Sequence, residues 1–462
     1  MDRRDFLRYG GLSAAALILR PGQTLASQPT RRPNIVYILA DDLGYGHLGC
    51  YGQEEIKTPA IDKMAREGMR FTDHYAGSAL CAPSRCVLIT GLHTGHCFIR
   101  NNKALPVEGN VPIPANSQTI PKVLKRADYT SAAIGKWGLG YPGSEGDPIN
   151  QGFDHFFGYN CQRQAHTYYP PHLWRNDKKV ILEGNKQPPK TDYSHDLLTE
   201  EALGFIRENR DNPFFLYIPY TIPHAAFQVP DLGQYAELPW PPVKKAIAAM
   251  ISRMDSDVGK ILDLIKSLDL EDNTLVIFAS DNGSAGGALL NEFNGSGPLR
   301  ASKGTLYEGG IRAPMIARWP GKIAPGTTSS HICAFQDMIL TFAELAGVAV
   351  PGPTDGISII PTLLSRGQQQ RHDYLYWELK QNRAVRMGKF KAVQTKVGLE
   401  LFDLSKDLSE KNNVAGRYPD LLSQIRAIIQ ASHEDSPFFT WEYSGPLPEN
   451  QSSGKTRSRK RR

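Results

Sequence analysis

Nowhere in the 462 residues does an uninterrupted apolar run reach the ~18 positions needed to cross a bilayer, which excludes a multi-span membrane protein. Cysteine is scarce: the six residues Cys50, Cys81, Cys86, Cys97, Cys161 and Cys333 are spaced too irregularly for a zinc ribbon. His93 and His96 beside Cys97 invite a metal reading, but helix packing and local hydrogen bonds explain them more simply. No internal repeat is visible, and no one sign of charge dominates the body. The formal charge is +6, from 53 Lys and Arg against 47 Asp and Glu. Residues 1–26 hold +2 of this and residues 455–462 carry six bases and no acid, so the chain between them is at −2. A nucleic-acid binder carries its basic footprint on the folded part, so no nucleic-acid partner is expected. The basic end, residues 446–462, reads as a solvated disordered tail.

The hydrophobic fraction of 40%, the charged fraction of 22% and the aromatic fraction of 9% belong to a globular chain rather than a disordered one. The N-terminus reads as an address. Arg3-Arg4-Asp5-Phe6-Leu7-Arg8 is followed by a mild apolar stretch from Gly10 to Leu19 and then by Thr24-Leu25-Ala26. A basic start, a short apolar middle and small residues at a cleavage point describe an export signal over 1–26. The twin arginine followed by Phe-Leu resembles the signal read by the bacterial twin-arginine translocase, which moves folded proteins outward to the periplasm. Folding before export means the thiols meet a reducing cytoplasm first, which weakens the case for disulfides.

Asn34–Ala40, Phe214–Ile218 and Thr274–Ala279 are continuous apolar runs apart from the leading Asn34 and Thr274, the pattern of strands buried on both faces in a parallel sheet. Between them, Thr199–Asn209 and Val243–Ser267 repeat apolar residues at helical spacing. Alternating strands and helices predict a doubly wound α/β domain over 27–350. Past Pro351, Gly352, Pro353 and Gly356, short strands at 374–378, 384–387 and 390–393 and a helix at 418–432 predict a small α+β domain over 351–445 with an antiparallel sheet. Residues 225–242 and 283–300 read as long loops.

Two strands run directly into acid: Asn34–Ala40 into Asp41-Asp42, and Thr274–Ala279 into Ser280-Asp281-Asn282-Gly283. Ligands of open α/β sheets sit at the carboxyl ends of strands. Either pair alone is more simply a cap or a turn. Together they set three carboxylates and an amide at one edge, an oxygen-only set that suits Ca²⁺ or Mg²⁺. Residues 81–85 read Cys-Ala-Pro-Ser-Arg, and Pro83 opening a helix would leave Cys81 near an N-terminus, with Arg85 one turn on. That describes either an activated thiolate nucleophile, an anion-binding turn or a buried structural cysteine.

Cys-x-Pro-Ser-Arg followed by Leu88-Ile89-Thr90-Gly91 resembles the signature of the formylglycine-dependent type I sulfatases, of the alkaline-phosphatase-like superfamily. The resemblance extends from Asn34 to about Phe438, through Gly135-Lys136-Trp137, Pro223-His224-Ala225, Lys303-Gly304-Thr305-Leu306-Tyr307-Glu308 and Glu400-Leu401-Phe402-Asp403. It implies a large mixed sheet flanked by helices with a smaller C-terminal domain, and a sulfuric ester hydrolase. It also implies that a formylglycine-generating enzyme oxidises Cys81 to an aldehyde. The hydrated aldehyde would offer one hydroxyl to attack sulfur and a second to expel sulfate.

Carried over by position, Asp41, Asp42, Asp281 and Asn282, with modified Cys81, would hold one Ca²⁺. Arg85 would steady formylglycine, Lys136 and Lys303 would bind sulfate oxygens, and His224 would protonate the leaving oxygen. Many relatives carry Gly-Lys-x-His where this chain has Gly135-Lys136-Trp137-Gly138, and His166 or His195 are the substitutes considered. Residues 159–169 and Trp174 suit either a sugar subsite or an aromatic lid on the core. The implied substrate is a sulfated carbohydrate or an aryl sulfate ester. A phosphate or phosphonate ester hydrolase, a non-catalytic glycan-binding relative and an esterase using the unmodified thiolate are the alternatives.

Overall fold

The structure, a computed structural model, describes residues 31–106, 108–436 and 439. The export signal over 1–26 and the tail over 446–462 lie outside the described residues. Among those described, no helix is long and apolar enough to cross a membrane.

The main sheet has ten strands: β1 (Asn34–Ala40), β2 (Met69–Phe71), β3 (Thr130–Lys136), β4 (His155–Tyr159), β5 (His172–Arg175), β6 (Lys178–Ile181), β7 (Phe214–Pro219), β8 (Thr274–Ser280), β9 (Met315–Arg318) and β10 (Thr327–Ser329). Their order across the sheet is β10-β2-β9-β8-β1-β7-β3-β4-β5-β6. The block β8-β1-β7-β3-β4 is parallel, while β9 runs antiparallel to β8 and β5 to β4. The sheet is therefore mixed, with its parallel strands in the middle where both faces are covered.

The apolar run of β1 follows from this. Ile35, Tyr37 and Leu39 join one buried cluster, and Val36, Ile38 and Ala40 the other. Successive side chains point to opposite faces, so a strand between two cores has no polar positions to spare. Helices Cys81–Thr90 and Asp337–Ala346 cover the first face, and Ser194–Glu208 and Pro242–Ser267 the second. The segment 283–300, expected as loop, includes the short helix Ala288–Asn291.

The C-terminal sheet is an antiparallel meander of β11 (Leu375–Leu379), β12 (Asn382–Met387), β13 (Phe390–Thr395) and β14 (Gly398–Asp403). Helix Pro419–Ala431 packs Ile425 and Ile429 on one face, and Tyr75, Leu306 and Ile311 pack on the other. This second contact encloses a fully buried ion cluster. Lys391 Nζ lies 2.9 Å from Glu308 Oε1 and 3.0 Å from Glu410 Oε1. Glu308 Oε2 also accepts from the Tyr75 hydroxyl at 2.8 Å and from Arg312 Nη1 at 2.9 Å. Lys391→Met would leave two buried carboxylates without that cation, and is expected to cost about 3–5 kcal/mol of stability. A urea midpoint that does not move would refute this.

Candidate active site

Four neighbouring parallel strands deliver the site at their carboxyl ends. β1 turns into Asp41 and Asp42, β8 into Asp281 and Asn282, β3 ends on Lys136, and β7 leads through Thr221 to His224. Asp41, Asp42, Lys136, Asp281 and Asn282 are at most 1% exposed. Asp42 adopts φ +67, in the left-handed region that aspartate tolerates. Its N–H donates to Asp281 Oδ1 at 3.1 Å and so ties the two acidic strand ends together.

Helix Cys81–Thr90 brings the next group, and all ten of its residues are buried. Cys81 is its first residue and Pro83 lies in its first turn, where the missing N–H has no intrahelical partner to lose. The Cys81 Sγ stands 3.5 Å from Asp41 Oδ1, 3.9 Å from Asp42 Oδ1 and 3.1 Å from Lys303 Nζ. Burial pushes the thiol up to about 12, against the opposing pull of Lys136 and Lys303. Burial therefore works against the activated thiolate that the helix N-terminus and Arg85 suggest. Arg85 is engaged elsewhere, with Nε and Nη2 donating to Asp281 Oδ2 at 3.0 and 2.7 Å and Nη1 to the Lys136 carbonyl at 2.8 Å.

Three carboxylates face three cations at the strand ends. Lys136 Nζ donates to Asp41 Oδ2 and Lys303 Nζ to Asp42 Oδ1, both at 2.6 Å. Burial acts to raise the Asp41 carboxyl, but Lys136, His224 and Arg85 together hold it well below the usual carboxylate range. Asp281 is pushed up to about 6 by burial and then by Asp41, with Arg85 opposing. Lys303 is set by its own loop, since its N–H donates to Ser284 O at 2.9 Å and the Gly304 N–H to Ala79 O at 2.8 Å, two residues before Cys81.

Asp41, Asp42, Cys81 and His224 offer ligand atoms within 4.8 Å of one another. Asn282 donates Nδ2 to Asp42 Oδ1 at 2.8 Å, while its Oδ1 is buried without a hydrogen-bond partner among the described residues. Converging carboxylates and an orphaned amide oxygen are a donor set that fits a hard divalent cation. His93, His96 and Asp355 form a second group of potential ligands. There His96 Nδ1 lies 2.9 Å from Asp355 Oδ1, and the two imidazoles stack with centroids 4.1 Å apart, so hydrogen bonding and stacking account for them.

His224 points Nε2 at Asp42 Oδ2, 3.6 Å away, and Nδ1 at the carbonyl of Ala225. The Tyr168 hydroxyl lies 2.6 Å from the carbonyl of Thr221 and 2.8 Å from that of His224, its one proton shared between them, which holds the turn that carries the imidazole. Tyr168 was not singled out in the sequence, where it is one aromatic among several. His166 stacks on His224 with centroids 4.6 Å apart. Partial burial of its ring, followed by His224 and Lys136, lowers His166 to about 4. His195 is not part of this group: it is fully buried, with Nε2 3.0 Å from Asp257 Oδ2. Of the aromatic segment, Tyr159 and Tyr168 are core, and the Trp174 indole donates to Glu108 at 2.6 Å.

The sulfatase family model matches residues 33–348, and that of the N-sulphoglucosamine sulphohydrolase C-terminal domain matches 301–434. The chain is 35% identical over 396 residues to N-acetylgalactosamine-6-sulfatase of Mus musculus, covering 81% of this chain and 74% of that protein. It is 34% identical over 462 residues to arylsulfatase A of Homo sapiens, covering 86% and 87%. A crystal structure of Ps i-CgsB in complex with k-i-k-neocarrahexaose superposes with a TM-score of 0.76 at 30% identity, over 87% of this chain and 93% of that one. The acidic strand ends, the Cys81 helix and the two lysines lie within the matched segment, and the chain belongs to the sulfatase family of sulfuric ester hydrolases.

Proposed function

We propose that this chain is an exported, Ca²⁺-dependent sulfatase that cleaves sulfate esters on a carbohydrate after Cys81 has been oxidised to formylglycine. The observation that carries the reading is Cys81 Sγ lying between Asp41, Asp42 and Lys303 at the buried carboxyl ends of β1 and β8. Asp41, Asp42, Asp281 and Asn282 would hold the cation. Bound there, the cation and the hydrated aldehyde supply a hydroxyl nucleophile at neutral pH.

The remaining work falls to the chain's own side chains. Asp41, Asp42 and Asp281 are balanced by Arg85, Lys136 and Lys303, so with a divalent cation held there the cleft would be net positive and would attract the anionic ester. Lys136 and Lys303 bind the sulfate oxygens. Arg85, locked on Asp281 and on the Lys136 carbonyl, keeps both in register with Cys81. His224 delivers a proton from Nε2 to the leaving oxygen.

A sulfated-carbohydrate substrate is supported by a relative named for N-acetylgalactosamine-6-sulfate chemistry and by the neocarrahexaose in the similar crystal structure. Export to a bacterial periplasm through the twin-arginine translocase rests on the motif at Arg3-Arg4. The catalytic domain would occupy 27–350 and the smaller domain 351–445. The test is the mass of the tryptic peptide Phe71–Arg85 from active protein made in its native host. The loss expected for thiol replaced by aldehyde supports the reading, and an unmodified thiol throughout overturns it.

A further inference from the structure

A buried amide beside Lys136 has no task in the reading above. Gln162 is 5% exposed, and its Nε2 has no hydrogen-bond partner among the described residues. A buried N–H without an acceptor is costly, and a bound ligand is one source of the acceptor it lacks.

Gly138 fixes where this amide lies. Pairing of β3 with β4 continues past both strand ends, as Trp137 N–H donates to Tyr159 O at 2.9 Å and Gly138 N–H to Asn160 O at 3.1 Å. Side chains alternate across a strand. Trp137 packs into the apolar cluster on one face and Lys136 reaches Asp41 on the other; Gly138 then adopts φ +82, and the alternation ends there. A side chain on Gly138 would begin 2.6 Å from Gln162 Cγ and 2.8 Å from its Nε2. The amide therefore fills the space that glycine leaves, next along from Lys136. Its backbone is pinned, with its N–H donating to Asn110 Oδ1 at 2.9 Å and its carbonyl accepting from Ala165 at 3.1 Å in the turn that ends at His166.

We propose that Gln162 is a substrate-binding residue whose Nε2 donates a hydrogen bond to a non-bridging oxygen of the sulfate group, beside Lys136. The assignment rests on the sulfatase reading. A carboxamide suits the position because it donates without adding a charge to a cleft that already holds Arg85, Lys136 and Lys303.

The full-length protein is compared with Gln162→Leu and Gln162→Glu. Sulfate-ester turnover is measured together with the rise in melting temperature on adding inorganic sulfate, a readout that needs no turnover. Gln162→Leu is expected to raise KM, and the sulfate concentration giving half the thermal shift, by about 10-fold or more, with the sulfate-free melting temperature near wild type. Gln162→Glu, which sets a carboxylate against the anion, is expected to lose about 100-fold in kcat/KM. A Gln162→Leu protein with wild-type KM and sulfate response overturns the assignment. So does one whose sulfate-free melting temperature falls while its sulfate response stays intact, since that marks a purely structural role. A wild-type protein showing neither turnover nor a sulfate response overturns the sulfatase reading, and this assignment with it.

Discussion

Cys81→Ala is expected to lower sulfate-ester turnover by at least about 10⁴-fold while leaving the melting temperature close to wild type, as removal of a nucleophile does where the surrounding site survives. The alanine keeps the backbone of the helix start and removes a single atom from a site otherwise braced by ion pairs. The Arg85–Asp281, Lys136–Asp41 and Lys303–Asp42 contacts do not run through the sulfur. Cys81→Ser separates two chemistries. If the side chain acted as a simple nucleophile, serine would retain partial turnover, since its hydroxyl occupies nearly the same place. On the formylglycine reading a serine has one hydroxyl where two are used, so the variant stops after at most one turnover per molecule. Rapid-mix measurement of product per enzyme distinguishes the two, and steady multiple turnover by the serine variant would reject the formylglycine mechanism. Burial of Cys81 raises its thiol and so works against the unmodified cysteine as nucleophile.

Much of this was legible in the sequence because the central strands are buried on both faces. Asn34–Ala40 reads as a strand without knowledge of its neighbours, and the acids that follow it are conspicuous because a parallel strand has nowhere else to put them. The edge of the same sheet was not legible. Met69–Phe71 and Thr327–Ser329 are three residues each, and their pairing is set by contacts more than 250 positions apart in the chain. In the C-terminal meander three strands were foreseen, but Gly398–Asp403 was noticed only as part of a motif.

What works against the thiolate reading is a contact that composition conceals. Arg85 does lie one turn beyond Cys81, but a buried guanidinium is held by the carboxylate that satisfies it best, and Asp281 arrives from almost two hundred residues away. Gln162 and Tyr168 were hidden differently. Each sits in a run of similar residues, and only the fold shows that one fills the space left by Gly138 and the other holds the His224 turn.

Asp281→Asn is expected to lower turnover by about 10³-fold or more and to abolish the rise in melting temperature expected of the wild type on adding Ca²⁺. The carboxylate has two roles. Oδ2 receives both Nε and Nη2 of Arg85, and Oδ1 receives the Asp42 N–H. Asparagine preserves the shape and one acceptor oxygen, so the strand ends stay joined, but it removes a negative charge from both the cation site and the buried Arg85. A loss through Arg85 alone would appear as a lower melting temperature in EGTA, where no cation contributes, with the Ca²⁺-dependent rise intact. A loss of cation binding would appear as the opposite: a melting temperature in EGTA near that of the wild type, and no rise when Ca²⁺ is restored. Lys391→Met, in a buried ion cluster that contains none of the proposed Ca²⁺ ligands, provides the control, with lowered stability and an unchanged Ca²⁺ increment. If Asp281→Asn keeps the full Ca²⁺ increment, Asp281 is not a ligand. The cation, if one binds, would then be held by the group Asp41, Asp42, Cys81 and His224, whose ligand atoms lie within 4.8 Å of one another.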